Sequence, residues 1–295
     1  MQDDFYGMHW MLATPFDADE QVDTASIPRL VGKAREAGCR GVVALGVTGE
    51  AARLTDKERT LVAQTVLDAS DGLPVTLGTT APGTRVAIER SREAQELGAA
   101  AVMISAPSMQ KPNLDALLGH YQRIADAVDL PIVVQDYPQT SGVSMPPAFV
   151  ARLAETVPSA RYLKLEDPPT PTKISAIRDL IGDRMGIFGG LGGVFLLDEL
   201  ARGSIGAMTG FAYPEVLVQV CRHMVEGDRR KAEEVFYRHL PLIQFEGQEG
   251  IGLSIRKAAL HHRGLISTPT VRHPGAGVAE KTRRELLDLI ETLGL

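Results

Sequence analysis

A lysine stands in the middle of the run Arg161-Tyr162-Leu163-Lys164-Leu165-Glu166-Asp167, whose apolar residues read as a buried strand. A cation needs a reason to be there, because lysine is rarely fully buried unless paired and burial disfavours its charged form. An amine kept partly neutral near neutral pH is a nucleophile toward carbonyl carbon, and the product of the attack is a Schiff base. The local alternative is plainer: Lys164 pairs with Glu166 or Asp167 at a strand end and snorkels its ammonium to water. Taken alone, the seven residues favour the plainer reading.

Other stretches carry chemistry of their own. In Gly46-Val47-Thr48-Gly49-Glu50, two glycines flank a hydroxyl residue, so the backbone can approach a ligand closely and aim N–H groups at a carboxylate. An ordinary tight turn reads the same way. Gln135-Asp136-Tyr137-Pro138 ends another apolar run and offers an amide and a phenol. Gly189-Gly190-Leu191-Gly192-Gly193 is rich enough in glycine to approach a phosphate, but it lacks the P-loop lysine and the dinucleotide-binding spacing. It reads better as a turn with close backbone packing, which leaves Gly190 as a candidate lining residue. His261-His262 has no metal-type spacing around it, and no GxSxG elbow accompanies any serine. Glu89, Glu93 and Glu96 read as one solvated helix side.

The elements that must hold these residues alternate in a regular order. Short apolar runs at 8–13, 41–45, 74–78, 100–105, 131–136, 162–165, 186–188 and 206–208 predict eight strands. Helical spacing between them, at 27–37, 56–69, 85–97, 114–127, 147–155 and 172–181, predicts βα units and a parallel sheet. Eight such units close a (β/α)8 TIM barrel, an α/β fold whose typical size is about 250 residues, and in it the active residues gather at the C-terminal ends of the strands. The chain has 295 residues, and helical patterns at 215–226, 228–245, 252–262 and 280–293 follow the last strand. The first completes the barrel. Residues 1–226 are therefore read as the barrel and 227–295 as helices packed on it, together one structural domain.

Composition narrows the functions available. A formal net charge of -6 with no basic run argues against nucleic acid. No apolar stretch reaches the length of a membrane span, and the two cysteines, Cys39 and Cys221, lie far apart without metal-type spacing. The expectation is a cytoplasmic protein with no metal, no membrane partner and a small-molecule substrate.

At this point the residues resemble a known family. Ala13-Thr14-Pro15-Phe16 at the end of strand one, Gly46-Val47-Thr48-Gly49-Glu50 and the Lys164 strand, in this order on a barrel with a helical tail, are similar to the dihydrodipicolinate synthase and N-acetylneuraminate lyase family. The resemblance covers nearly the whole chain. It implies that Lys164 forms a Schiff base with the keto carbon of pyruvate or another 2-oxo acid, with no cofactor beyond that covalent imine. It further implies that Gly46, Val47, Thr48 and Gly49 hold the 2-oxo acid carboxylate, that Gly206 lies beside it, and that the protein is a homo-oligomer, a tetramer.

The departures from the family pattern are equally informative. Val47 stands where synthases carry a second hydroxyl, and Ser108-Met109 where they carry a tyrosine that reaches the neighbouring subunit. Without a gap, Gln135 takes the strand-five tyrosine position and Thr140 that of the arginine for the aldehyde substrate's carboxylate. Tyr137 shares the parity of Gln135, one residue pair nearer the barrel mouth, and is the candidate acid/base group. The resulting expectation is a lyase, an aldolase or dehydratase acting on a 2-oxo acid of the 2-keto-3-deoxy sugar acid kind. The alternatives are a 4-hydroxy-tetrahydrodipicolinate synthase and a barrel that binds a 2-oxo acid without turnover.

Overall fold

A computed structural model describes residues 5–295. Eight parallel strands close a barrel in sequence order: β1 (Gly7–Met11), β2 (Gly41–Ala44), β3 (Val75–Gly78), β4 (Ala101–Ser105), β5 (Ile132–Asp136), β6 (Tyr162–Leu165), β7 (Gly186–Gly189) and β8 (Gly206–Thr209). β8 returns to β1 with Gly206 opposite Gly7. Each expected strand is present, with ends displaced by no more than a residue or two, as expected where turns rather than side chains set the boundary.

Alternation along the strands divides the core in two. Met11, Val43, Met103, Val133, Tyr162, Phe188 and Met208 form one buried cluster, the filling of the barrel. Their strand neighbours, such as Val42, Val134 and Leu163, belong to the larger cluster between the barrel and its helices. Since Tyr162 points inward, residue 164 must point inward as well, one layer nearer the C-terminal ends. The barrel thus carries the lysine toward its mouth rather than out to water.

The surrounding helices follow the apolar spacing closely, and Asp56–Ala69, Gly252–His262 and Glu280–Leu293 coincide with the expected spans. Asp56–Ala69 opens on a capping box between Thr55 and Glu58. Among the described residues two α-helices escape the spacing analysis, Pro138–Ser141 after β5 and Leu196–Ala201 between β7 and β8, each too short to display a helical period. Pro214–Val225 packs on β1, and Arg229–Glu246, Gly252–His262 and Glu280–Leu293 pack on one another. Among the described residues no helix is long and apolar enough to cross a membrane. Cys39 and Cys221 are free and buried, and burial pushes both thiols up to about 12.

The helical tail is tied to the barrel through a buried ion cluster. Lys257 Nζ lies 2.5 Å from Glu50 Oε1, and both side chains are almost wholly buried. Arg53 Nη1 meets the other carboxylate oxygen at 2.7 Å, and the Arg272 N–H donates to it at 3.0 Å. Burial pushes the Lys257 amine down to about 8, with Glu50 opposing the shift. Glu50 sits at φ 53, so the turn that follows β2 is held by side-chain bonds in a conformation non-glycine residues seldom take.

Candidate active site

Lys164 is 2% exposed, within β6 and level with Gln135 of β5 and Phe188 of β7. Its Nζ lies 2.9 Å from Glu166 Oε2 and 2.9 Å from the Met11 thioether sulfur. The pairing with Glu166 is the plainer alternative in part, but the amine does not snorkel: both partners are inside. A buried ammonium of this kind depends on its carboxylate, because removing one partner leaves an uncompensated charge.

Glu166 is the hub of the site. Gln135 Nε2 donates to its Oε2 at 2.7 Å, Ser105 Oγ donates to Gln135 Oε1 at 2.7 Å, and the Leu191 N–H donates to Glu166 Oε1 at 3.3 Å. Strands β4, β5 and β6 and the turn after β7 therefore contribute one connected network around the amine. Gly190 is required by it: a Cβ there would stand 2.3 Å from Glu166 Cγ and 2.5 Å from Oε1. The glycine-rich turn is thus a seat for a carboxylate side chain and not a phosphate loop.

The turn after β2 closes the site on the other side of Met11. A Cβ at Gly46 would meet the Met11 methyl carbon at 2.4 Å, so the glycine admits that methionine. Thr14 Oγ1 donates to the Gly49 carbonyl at 2.6 Å. Among the described residues no protein acceptor takes the N–H of Val47, Thr48 or Gly49, which leaves three donors for an anion. The Val47 side chain is 49% exposed, so only its backbone belongs to the site.

Tyr137 follows the last residue of β5 and opens the helix Pro138–Ser141, its carbonyl accepting the N–H of Thr140 and Ser141 at 3.1 Å. The phenol is half-buried, and burial, then the charges of Glu166 and Glu249, push it above its ordinary value while Arg256 opposes them. Tyr137 stands two residues beyond Gln135, just past the C-terminal end of β5, at the mouth and above the level of Lys164. Thr140 Oγ1 bonds the Tyr137 carbonyl and brings no cation to this end of β5. Met109 is half-buried against the outer core.

Gly206 is not brought to the mouth. It is the first residue of β8, and a Cβ there would lie 1.9 Å from the Gly7 carbonyl oxygen, so its role is close packing where β8 starts beside β1. Four residues on, Gly210 occupies the mouth, where a Cβ would meet the Thr48 methyl at 2.8 Å and Arg256 Nη1 at 3.2 Å. The short apolar run of strand eight gives no signal for which of its residues faces the ligand.

Met11 and Arg256 are among the residues of this site that escape the sequence reading. Met11 lies 153 positions from Lys164, and Arg256 arrives from the helical tail. Neither proximity leaves a local trace. Glu166 was visible, but only as a neutralising partner. Among the described residues no group of histidine, cysteine and carboxylate side chains is arranged to hold a metal ion.

Residues 4–293 match the Dihydrodipicolinate synthetase family. The chain is 32% identical to the L-2-keto-3-deoxyarabonate dehydratase of Azospirillum brasilense over 293 residues, covering 97% of this chain and 94% of the relative. The dihydrodipicolinate synthase of Rhodopseudomonas palustris superimposes with a TM-score of 0.93 at 35% identity, covering 99% of this chain and 98% of that one. The chloride-inhibited dihydrodipicolinate synthase of Acinetobacter baumannii, solved in complex with pyruvate, gives a TM-score of 0.92 at 29% identity, covering 98% and 99%.

Proposed function

Because the chain belongs to the dihydrodipicolinate synthetase family, whose members act on pyruvate and related 2-oxo acids, we propose that it is a Schiff-base-forming lyase for a 2-keto-3-deoxy sugar acid. One observation carries the reading: an inward lysine amine, buried at 2% exposure, bonded to a carboxylate and set opposite a turn with three unclaimed N–H donors.

In this reading the substrate's first carboxylate is held by the N–H groups of Val47, Thr48 and Gly49. Its keto carbon faces Lys164 Nζ. The amine adds to that carbon, and the carbinolamine loses its oxygen as water to leave a protonated imine. The imine withdraws electrons from C3. Removing a C3 proton then gives an enamine that expels the C4 hydroxyl as water; in an aldolase, deprotonating that hydroxyl instead breaks the C3–C4 bond. The enamine left by cleavage takes a proton at C3 to regain the imine, and hydrolysis of the imine frees Lys164 in either case. Glu166, in contact with Nζ, is the group placed to move protons at the amine. Tyr137, at the mouth, serves the leaving oxygen. The dehydratase relative favours elimination over cleavage.

The relatives described as dihydrodipicolinate synthases support a second reading, condensation of pyruvate with aspartate semialdehyde. That reaction needs a cation for the second carboxylate, and Thr140 bonds a backbone carbonyl where one would serve. Hydrogen bonds to a charged group contribute about 1.5 to 3 kcal/mol each, which is roughly tenfold or more in rate per bond. A panel of 2-keto-3-deoxy pentonates and hexonates, assayed beside pyruvate plus aspartate semialdehyde, decides the question. The expected result is a specificity constant at least about tenfold higher for one of the sugar acids. Equal or faster condensation would make the protein a synthase.

We further propose a homotetramer in the cytoplasm, on the strength of the family likeness. Light scattering at micromolar concentration is expected to return four chain masses, and a monomer would contradict it.

A further inference from the structure

Arg256 enters the barrel mouth from the helix Gly252–His262, and its place there is defined from three directions. Its Nη1 lies beside Gly210 and, with it, beside the Thr48 methyl group and the Met11 carbonyl oxygen. Its charge reaches the Tyr137 phenol. Its Nε donates to the buried Glu246 at 3.2 Å, and Glu246 in turn accepts the Ala212 N–H at the foot of the loop that leaves β8. The side chain is 11% exposed, so the guanidinium is held by its own salt bridge rather than swinging in solvent. Among the described residues Nη1 and Nη2 donate to no protein acceptor. A guanidinium positioned through Nε, with its outer edge unclaimed next to Thr48, is built to receive something that sits above the 2-oxo acid.

The charge around it selects what that something is. Among the described residues Lys164 pairs with Glu166, Arg256 pairs with Glu246, and Arg263, which also faces Glu246, pairs with Glu215, while Glu249 faces Tyr137. Each cation is thus already matched by a carboxylate before the substrate's first carboxylate arrives, with Glu249 in addition. A second carboxylate at the mouth would be drawn to Arg256 but would lie near Glu166 and Glu249. A hydroxyl has no such conflict, since it accepts from Nη and donates to a carboxylate or to the phenol oxygen of Tyr137.

We propose that Arg256 is the specificity-determining residue for the substrate tail, its Nη1 and Nη2 donating to the hydroxyl groups of a 2-keto-3-deoxy acid and not to a second carboxylate. The assignment rests on the imine-forming reading above and deepens it. It also gives the helical tail a part in substrate choice, because Arg256 stands one position from Lys257, whose bond to Glu50 fixes the turn that holds the first carboxylate.

The test uses inert 2-hydroxy acids, which can form no imine, as protectants of Lys164 against trapping by pyruvate and borohydride. Lactate has no tail, 3-deoxypentonate has a hydroxylated one, and 2-hydroxyglutarate carries a second carboxylate. In the native protein 3-deoxypentonate is expected to protect at concentrations about tenfold below lactate, with 2-hydroxyglutarate no better than lactate. In Arg256→Met the advantage of 3-deoxypentonate over lactate should vanish, and Arg256→Lys should restore part of it. Because each ratio is taken within one variant, a general loss of binding cancels. An advantage that survives in Arg256→Met, or better protection by 2-hydroxyglutarate than by 3-deoxypentonate, overturns the assignment while leaving the imine intact. Failure of pyruvate trapping in the native protein overturns the imine reading and this inference with it.

Discussion

Pyruvate and borohydride are expected to add irreversible mass at Lys164 in the native protein, and no mass at that position in Lys164→Arg or Lys164→Ala. The arginine variant is the sharper of the two. It keeps a cation beside Glu166, so the buried pair that Lys164 makes at 2.9 Å is not left with an unmatched carboxylate. It still cannot react, because a guanidinium stays protonated throughout the usable pH range. Turnover of the preferred substrate should fall by on the order of 10⁴-fold or more, the scale seen when a covalent nucleophile is removed and only binding remains. Peptide mapping of the reduced adduct checks the site directly. Native protein that gains no mass, or a Lys164→Ala variant that gains as much, removes the mechanism.

Glu166→Gln should give the second largest loss, and of a different kind. The amide keeps the shape of the side chain and its place against Gly190, but it has no titratable proton. If Glu166 carries protons between the amine, the departing water and the imine, turnover should fall by about 10² to 10⁴-fold. Trapping by pyruvate should then still reach its endpoint, only more slowly. Tyr137→Phe is the necessary companion. Among the described residues its phenol has no hydrogen-bond partner, and burial pushes it above its ordinary value, so its loss should cost about 10²-fold and leave trapping at Lys164 intact. Single-turnover rates for both variants would separate the roles. A Glu166→Gln enzyme as fast as native, beside a crippled Tyr137→Phe enzyme, would return the whole acid/base function to the phenol.

The barrel was legible because its periodicities are local. A strand of β6 declares itself through Tyr162, Leu163 and Leu165, and the lysine that interrupts them is conspicuous for the same reason. The Gly46 to Glu50 turn declares itself through glycines. Residues that reach the site by closure of the barrel leave no such mark. Met11 belongs to β1 and meets β6 only across the interior, and Arg256 depends on the tail folding back over β8. Gly206 was misplaced because eight strands of a tilted barrel do not share one starting height. Its level is set by pairing with Gly7, a long-range contact that the apolar run at 206–208 does not encode. Gly190 was picked out for its glycine, while its reason, the Glu166 carboxylate, belongs to the next strand over.

The Met11 sulfur bears on what the resting protein is exposed to. Cells contain aldehydes, acyl phosphates and activated esters that modify lysines, and the amine proposed above to attack a carbonyl would be open to the same reagents. Here the thioether stands 2.9 Å from Nζ, on the side where the turn after β2 faces the amine. A methionine is flexible at three torsions, so on the proposed reading a 2-oxo acid whose carboxylate binds the N–H groups of that turn would push it aside at little cost. A reagent with no carboxylate gains nothing from that turn and meets a sulfur instead of an amine. On the proposed reading, the side chain that covers the amine would act as a sieve, making damage and catalysis different events at one nitrogen atom.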